Sequence, residues 1–249
     1  MKLKVGIFGF TGCAGCQLMI LNLEDELLDI FKRLDVCAFP LASSEMRDET
    51  LDVAFVEGSI TTEEQRRELE EIRERSKILV AIGNCATLGG VQAIPSGLKT
   101  PEERLREVYG EVLWKIEDSK PLSEFVKVDA ELFGCPIEKE EFVELLRYLL
   151  RGYLPPARDY PVCLECKFRD NECLLLKGEI CLGALTVGGC KARCPSLKVP
   201  CLGCRGVLKD EARIKSAVKL FEESGVAPED VKRVLRIFSA NYPDVMEVQ

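Results

Sequence analysis

The chain has 249 residues, is 47% hydrophobic and carries a formal net charge of −8 at neutral pH. That length and apolar content support one large domain, or one domain with an appended lobe, and exclude a miniprotein held by disulfides. The acidic balance argues against nucleic acid as a partner, because binding phosphate needs a basic face.

The first residues, Met1-Lys2-Leu3-Lys4-Val5-Gly6, enter a strand pattern directly, with neither a long apolar secretory core nor a twin arginine. This predicts a cytoplasmic chain, in a compartment where unligated thiols stay reduced. No window reaches the roughly 18 apolar residues that a membrane span needs. Residues 4–10 read as a strand, 17–34 as an amphipathic helix, 36–41 as a second strand and 53–57 as a third. A Thr62/Gln65 capping box opens a helix over residues 62–76. Residues 78–82 are almost continuously apolar, as in a strand covered on both faces of a parallel sheet. Residues 101–109 read as a helix with proline in its first turn, 125–129 as a weaker strand and 138–150 as a helix. The alternation predicts a flavodoxin-like, doubly wound parallel α/β domain over residues 1–152.

Arg151-Gly-Tyr-Leu-Pro155-Pro156 breaks that regularity. Between residues 161 and 206 apolar periodicity disappears, and prolines and glycines punctuate cysteines instead. The expectation is an irregular lobe, residues 153–249, organised around bound metal and closed by helices over 210–224 and 228–241.

The chain has 13 cysteines. Cys13, Cys16, Cys85 and Cys135 lie in the first domain, whereas Cys163, Cys166, Cys173, Cys181, Cys190, Cys194, Cys201 and Cys204 crowd into the lobe. Four and eight make three sets of four, and a [4Fe–4S] cluster takes four thiolates. Only Cys37 is left over, and its place in an apolar strand makes it a core residue. Each of the first four positions follows a predicted strand, and loops at the carboxyl ends of parallel strands converge on one crevice. Four cysteines distant in sequence can therefore surround one cluster. Gly12, Gly15, Gly83 and Gly134 beside them permit close backbone approach and offer amides to cluster sulfur. Glu57 ends the third strand beside the same crevice, where it could orient the cluster loops, assist proton movement, or simply bond to backbone.

Two other readings of the thiols stay open. Cys13-Ala-Gly-Cys16 has the form of a thioredoxin-like redox pair, which would leave Cys85 and Cys135 without a role. Cys163-x-x-Cys166 and Cys201-x-x-Cys204 have the spacing of zinc-ribbon knuckles, so a zinc-stabilised interaction module without redox activity is the rival from another class. Colour separates them: iron–sulfur clusters make a brown protein, and zinc leaves it colourless.

Five separated motifs now stand in order: Thr11-Gly-Cys13-Ala-Gly-Cys16-Gln-Leu; Phe55-Val-Glu57-Gly58-Ser; Ala81-Ile-Gly83-Asn-Cys85-Ala with Gly89-Gly90-Val-Gln; Gly134-Cys135-Pro136; and Tyr160-Pro-Val-Cys163-Leu-Glu-Cys166. They resemble the small subunit of cytosolic [NiFe] hydrogenases, in particular the delta subunits of archaeal sulfhydrogenases and the gamma subunits of F420-non-reducing hydrogenases. The resemblance implies that Cys13, Cys16, Cys85 and Cys135 hold a proximal [4Fe–4S] cluster facing the nickel–iron centre of a large-subunit partner. It implies a distal cluster on Cys163, Cys166, Cys173 and Cys181, and a medial one on Cys190, Cys194, Cys201 and Cys204.

The sequence departs from better-known members of that family twice. It has no histidine, so Cys163 takes the place of a ligating imidazole. Cys194 supplies a fourth medial ligand where periplasmic relatives have proline and a [3Fe–4S] cluster. Both departures favour three low-potential [4Fe–4S] clusters. A ferredoxin-like exchange, in which a Cys-Pro cysteine such as Cys194 ligates the other cluster, leaves the partition of the eight open. The implied role is electron relay without a bond-making site, toward a downstream flavin or iron–sulfur subunit of diaphorase-like or heterodisulfide-reductase-linked type. Whether NAD(P), F420, ferredoxin or a heterodisulfide is reduced is then a property of the partner chains. The rival on the same fold is a complex I-like subunit passing electrons to quinone; those relatives use adjacent cysteines in a single-cluster domain, unlike Cys13 and Cys16.

Overall fold

The computed structural model describes residues 2–24, 29–30, 32–112 and 114–242. They divide into two units, Met1–Pro155 and Pro156–Gln249. In the first, β1 (Leu3–Gly9), β2 (Leu34–Ala38), β3 (Leu51–Glu57), β4 (Ser76–Ile82) and β5 (Ala130–Leu132) form a sheet in the order β2-β1-β3-β4-β5. Every pairing is parallel. This is the flavodoxin-like order, whose switch point lies between β1 and β3.

The helices of this unit are α1 (Gly15–Leu21), α2 (Glu63–Glu74), α3 (Gly83–Leu88), α4 (Pro101–Tyr109) and α5 (Lys139–Leu149). Strand residues alternate between two cores, as the period of two demands. Val53, Phe55, Val80 and Ile82 pack with Ile20 of α1 and with Phe142, Leu145 and Leu146 of α5. Ala54, Val56, Leu79 and Ala81 face the other way, toward Leu69 and Ile72 of α2. Burial of each large aliphatic or aromatic side chain stabilises the fold by roughly 1.5–3 kcal/mol. Phe55 and Phe142 meet edge to face, with ring centroids 5.2 Å apart.

Helix starts follow local chemistry. The Thr62 side chain accepts the Gln65 amide as expected, but Gln65 Oε1 turns to the amide of Thr61, so the box closes on one side only. The complete capping box is at α4, between Thr100 and Glu103, with Pro101 in the first turn.

Most boundaries shift by one or two residues from the sequence expectation, and three differences are larger. The helix expected over 17–34 is α1, which ends at Leu21 in a turn over residues 22–24; residues 25–28 and 31 lie outside the described residues. The second strand begins at Leu34 and ends at Ala38. The weak strand expected at 125–129 is a loop, and β5 starts at Ala130. Phe125, Val126 and Val128 spend their apolar surface packing against the α2-side core. Asp129 stops the ladder by bonding to one residue of β4 twice: its amide donates to Leu79 O at 2.9 Å, and its carboxylate accepts Leu79 N–H at 2.9 Å.

The second unit contains α6 (Val162–Phe168), α7 (Arg193–Ser196), α8 (Glu211–Glu223) and α9 (Pro228–Ser239), joined by short 3-10 turns and irregular chain. Leu175, Leu182, Leu185 and Val207 of the irregular segment pack against Ile214 and Phe221 of α8 and Val231 and Leu235 of α9. The segment thus has an apolar anchor that its own aperiodic composition does not reveal. Among the described residues, no helix is long and apolar enough to cross a membrane.

Candidate metal centres

At the carboxyl ends of the strands, the loops bearing Cys13, Cys16, Cys85 and Cys135 approach one another. Cys13 follows β1, Cys16 is buried in the first turn of α1, Cys85 lies in α3 directly after β4, and Cys135 follows β5. Glycine makes this convergence sterically feasible. A Cβ on Gly83 would lie 2.3 Å from Cys16 Sγ and 3.6 Å from Gly134 O, and its φ of +84° also favours glycine. A Cβ on Gly90 would lie 2.7 Å from Cys85 Sγ. Gly12 is within 3.8 Å of Cys85 Sγ, and Gly15 within 3.1 Å of Cys13 Sγ and 3.8 Å of Pro136, on the same construction.

α1 begins without a side-chain cap of its own, because its N-cap residue is Ala14 in the left-handed region. Glu57, at the end of β3, supplies the missing acceptors: its two carboxylate oxygens take the amides of Cys16 and Gln17 at 3.0 and 3.1 Å. It is 2% exposed. Of the roles open to it in the sequence, the geometry shows the bond to backbone, made at the start of α1. Burial pushes the Cys16 thiol far up, and Glu57 adds to the rise.

Gln92 belongs to one of the five motifs, and the sequence gives it no task of its own. Its Nε2 donates to Thr11 O at 2.9 Å and to Ser59 Oγ at 2.8 Å, while its Oε1 lies 3.7 Å from Cys85 Sγ. Burial raises the Cys85 thiol, and the Gln92 contact opposes that rise. Ser119 Oγ bonds to both Ser59 Oγ and Gly89 O, which extends the polar support behind Cys85.

In the second unit, Cys163 and Cys166 occupy α6. Burial pushes Cys163 up to about 12, and the neighbouring thiols of Cys181, Cys166 and Cys173 add to it, so these four share one neighbourhood. Cys201 is likewise pushed up to about 12 by burial, against a contact from Thr186, with Cys181 and Cys204 adding. The Cys201 amide donates to Cys181 Sγ at 3.3 Å, and a Cβ on Gly183 would lie 3.3 Å from Cys163 Sγ. Cys166, Cys181 and Cys190 pack around Val162, Ala192 and Cys201. Cys194 is exposed on α7.

Two charged residues that sequence reasoning passed over stand beside Cys190. Glu165, between Cys163 and Cys166, accepts the amides of Gly189 and Ala192 at 2.7 and 3.1 Å. Arg205, next to Cys204, is 2% exposed and donates through Nε to the carbonyls of Val187 and Gly188 at 3.1 and 3.0 Å. Their adjacency to cysteines was the available signal.

The donor set suits iron–sulfur clusters: all-thiolate, without imidazole, with glycine cradling sulfur and amides aimed at it. Among the described residues, no three His, Cys, Asp or Glu side chains are grouped to hold a single metal ion. A cubane does not require that, since its four thiolates bind four different irons.

A family described as NADH ubiquinone oxidoreductase, 20 Kd subunit, matches residues 13–149. Over 240 residues the chain is 40% identical to the sulfhydrogenase 2 subunit delta of Pyrococcus furiosus, covering 95% of this chain and 99% of that one. The chain belongs to the hydrogenase small-subunit family. This hydrogenase small subunit is also 34% identical, over 238 residues, to an F420-non-reducing hydrogenase subunit from Methanocaldococcus jannaschii, covering 83% of this chain and 82% of the other. Its fold matches a chain of an NAD+-reducing [NiFe]-hydrogenase crystallised in the H2-reduced state, with 27% identity and a TM-score of 0.58, covering 63% of this hydrogenase small subunit and 96% of that chain.

Proposed function

We propose that this chain is the electron-relay subunit of a cytoplasmic nickel–iron hydrogenase and carries three [4Fe–4S] clusters. The observation that carries the reading is the convergence of four cysteine-bearing loops at one end of the parallel sheet, with Gly83 and Gly90 pressed against Cys16 and Cys85 sulfur. Similarity to hydrogenase subunits spans both units, whereas the quinone-linked family description rests on residues 13–149 of the first.

When bound, each cluster supplies reversible one-electron storage. Cys13, Cys16, Cys85 and Cys135 would hold the one nearest the partner's nickel–iron centre, with Glu57 fixing the start of α1 beneath Cys16. Cys163, Cys166, Cys173 and Cys181 would hold a distal cluster, and Cys190, Cys194, Cys201 and Cys204 a medial one. Buried sulfur and backbone amides such as Cys201 N–H tune potentials and exclude water. Leu18, Val91 and Ile94 adjoin the first centre in sequence and are exposed, which suits burial under a large subunit. Electrons would pass onward to a flavin or iron–sulfur subunit.

The test is electron flow in the complex. Exposure of the anaerobic complex to H2 should generate reduced-cluster paramagnetic signals. Cys85→Ala should abolish H2-dependent reduction of the remaining clusters while dithionite still reduces them; reduction by H2 at the wild-type rate would refute the relay.

A further inference from the structure

We propose that Glu165 and Arg205 form a charged clamp on the loop over residues 187–192, fixing Cys190 in place and setting the reduction potential of the cluster it ligates. The clamp rests on the reading of Cys190 as a cluster ligand, and it concerns two residues outside every ligand set.

The loop's main-chain groups divide between the two charges. Glu165 Oε1 accepts the Gly189 amide at 2.7 Å and the Tyr160 hydroxyl at 3.2 Å; Oε2 accepts the Ala192 amide at 3.1 Å and lies 3.9 Å from Cys190 Sγ. From the other side, Arg205 Nε bridges the carbonyls of Val187 and Gly188. The Tyr160 ring closes over Gly188, where a Cβ would lie 2.2 Å from a ring carbon. Cys190 therefore hangs between a carboxylate from the Cys163–Cys166 turn and a guanidinium from the Cys201–Cys204 turn.

Neutral side chains could satisfy the same amides and carbonyls. Full charges do more, because in a poorly solvated site they act strongly on a neighbouring thiolate and on the electron it helps to store. Glu165 Oε2 lies 3.9 Å from Cys190 Sγ, and the Arg205 guanidinium is held on the carbonyls two and three residues before that cysteine, so a charge of each sign is fixed close to the ligand. A negative charge nearby makes reduction harder and a positive charge makes it easier.

The test is a redox titration of the anaerobically purified hydrogenase complex, followed by electron paramagnetic resonance, with iron measured on the same samples. Glu165→Gln removes the charge and sets an amide NH2 against a backbone N–H; one cluster should titrate at higher potential, with the other two unmoved. Arg205→Met should move the same signal to lower potential. Arg205→Lys keeps the charge but loses the planar fork, and should restore most of that potential. Should Glu165→Gln be recovered without full iron, the pair of Arg205 variants decides by the same readout. Unmoved potentials in fully loaded variants, or shifts on different clusters, would overturn the clamp. A wild-type complex without cluster signals would instead refute the ligand assignment beneath it.

Discussion

Glu57 and Cys16 lie 41 positions apart in sequence, yet a Glu57 carboxylate oxygen accepts the Cys16 amide at 3.0 Å. The other oxygen accepts the next amide, so a residue at the end of β3 caps the helix that the Cys13-x-x-Cys16 segment opens. A buried carboxylate with two amide donors is a positional device. It holds Cys16 against the sheet from which Cys85 and Cys135 also emerge.

Glu57→Gln should expose that dependence. Glutamine retains one acceptor oxygen and leaves one α1 amide facing an NH2 group, which costs about 1–3 kcal/mol. The expected outcome is a lower thermal midpoint and faster hydrogen exchange at Cys16 and Gln17, with exchange in β4 unchanged.

Gly83→Ala and Gly97→Ala form a matched pair. Both sites have positive φ, +84° and +74°, so each substitution pays roughly 1–2 kcal/mol of backbone strain. Only at Gly83 does the new Cβ collide with cysteine sulfur, at 2.3 Å, whereas Gly97 has nothing within 4 Å. Iron analysis should show about four iron lost per chain in Gly83→Ala, and none in Gly97→Ala. Equal iron in both would refute the sulfur cradle.

Asp129 gives a pH dependence with a definite sign. Burial pushes its carboxyl up, but the Leu79 amide and the Arg73 guanidinium, 2.5 Å away, outweigh burial and hold it below the usual range. A carboxyl lowered by folding stabilises fully above the ordinary aspartate pKa of about 3.9, and that share is lost as pH falls through its own lower value. Asp129→Asn should therefore cost about 1–3 kcal/mol at neutral pH, seen as a lower thermal midpoint. The gap from wild type should narrow as pH falls below about 4.

The apolar runs of β3 and β4 made the doubly wound sheet legible, because only strands covered on both faces carry them. Residues 125–128 misled because their apolar side chains pack from a loop, a use that periodicity does not distinguish from an edge strand. The cysteine positions of the first centre were legible as strand-end residues flanked by glycine. Glu165 and Arg205 were not, since the main-chain groups they hold lie 24 and 27 residues on for Glu165 and 18 and 17 back for Arg205. Only their adjacency to cysteines marks them locally. The apolar anchor of the second unit was hidden for the same reason: Leu182 and Leu185 find α8 and α9 only through the chain's return.

Iron and acid-labile sulfide in the anaerobically purified chain, counted beside Cys37→Ala and Cys85→Ala, test the three-cluster relay most directly. Three cubanes require about twelve iron and about twelve sulfide per chain. Cys37 is 1% exposed in the α2-side core, so Cys37→Ala should keep the full count and cost only about 1 kcal/mol. Cys85→Ala should lose about four of each. A wild-type chain with about four iron or fewer and abundant zinc, or a Cys37→Ala chain that loses iron, would overturn the assignment.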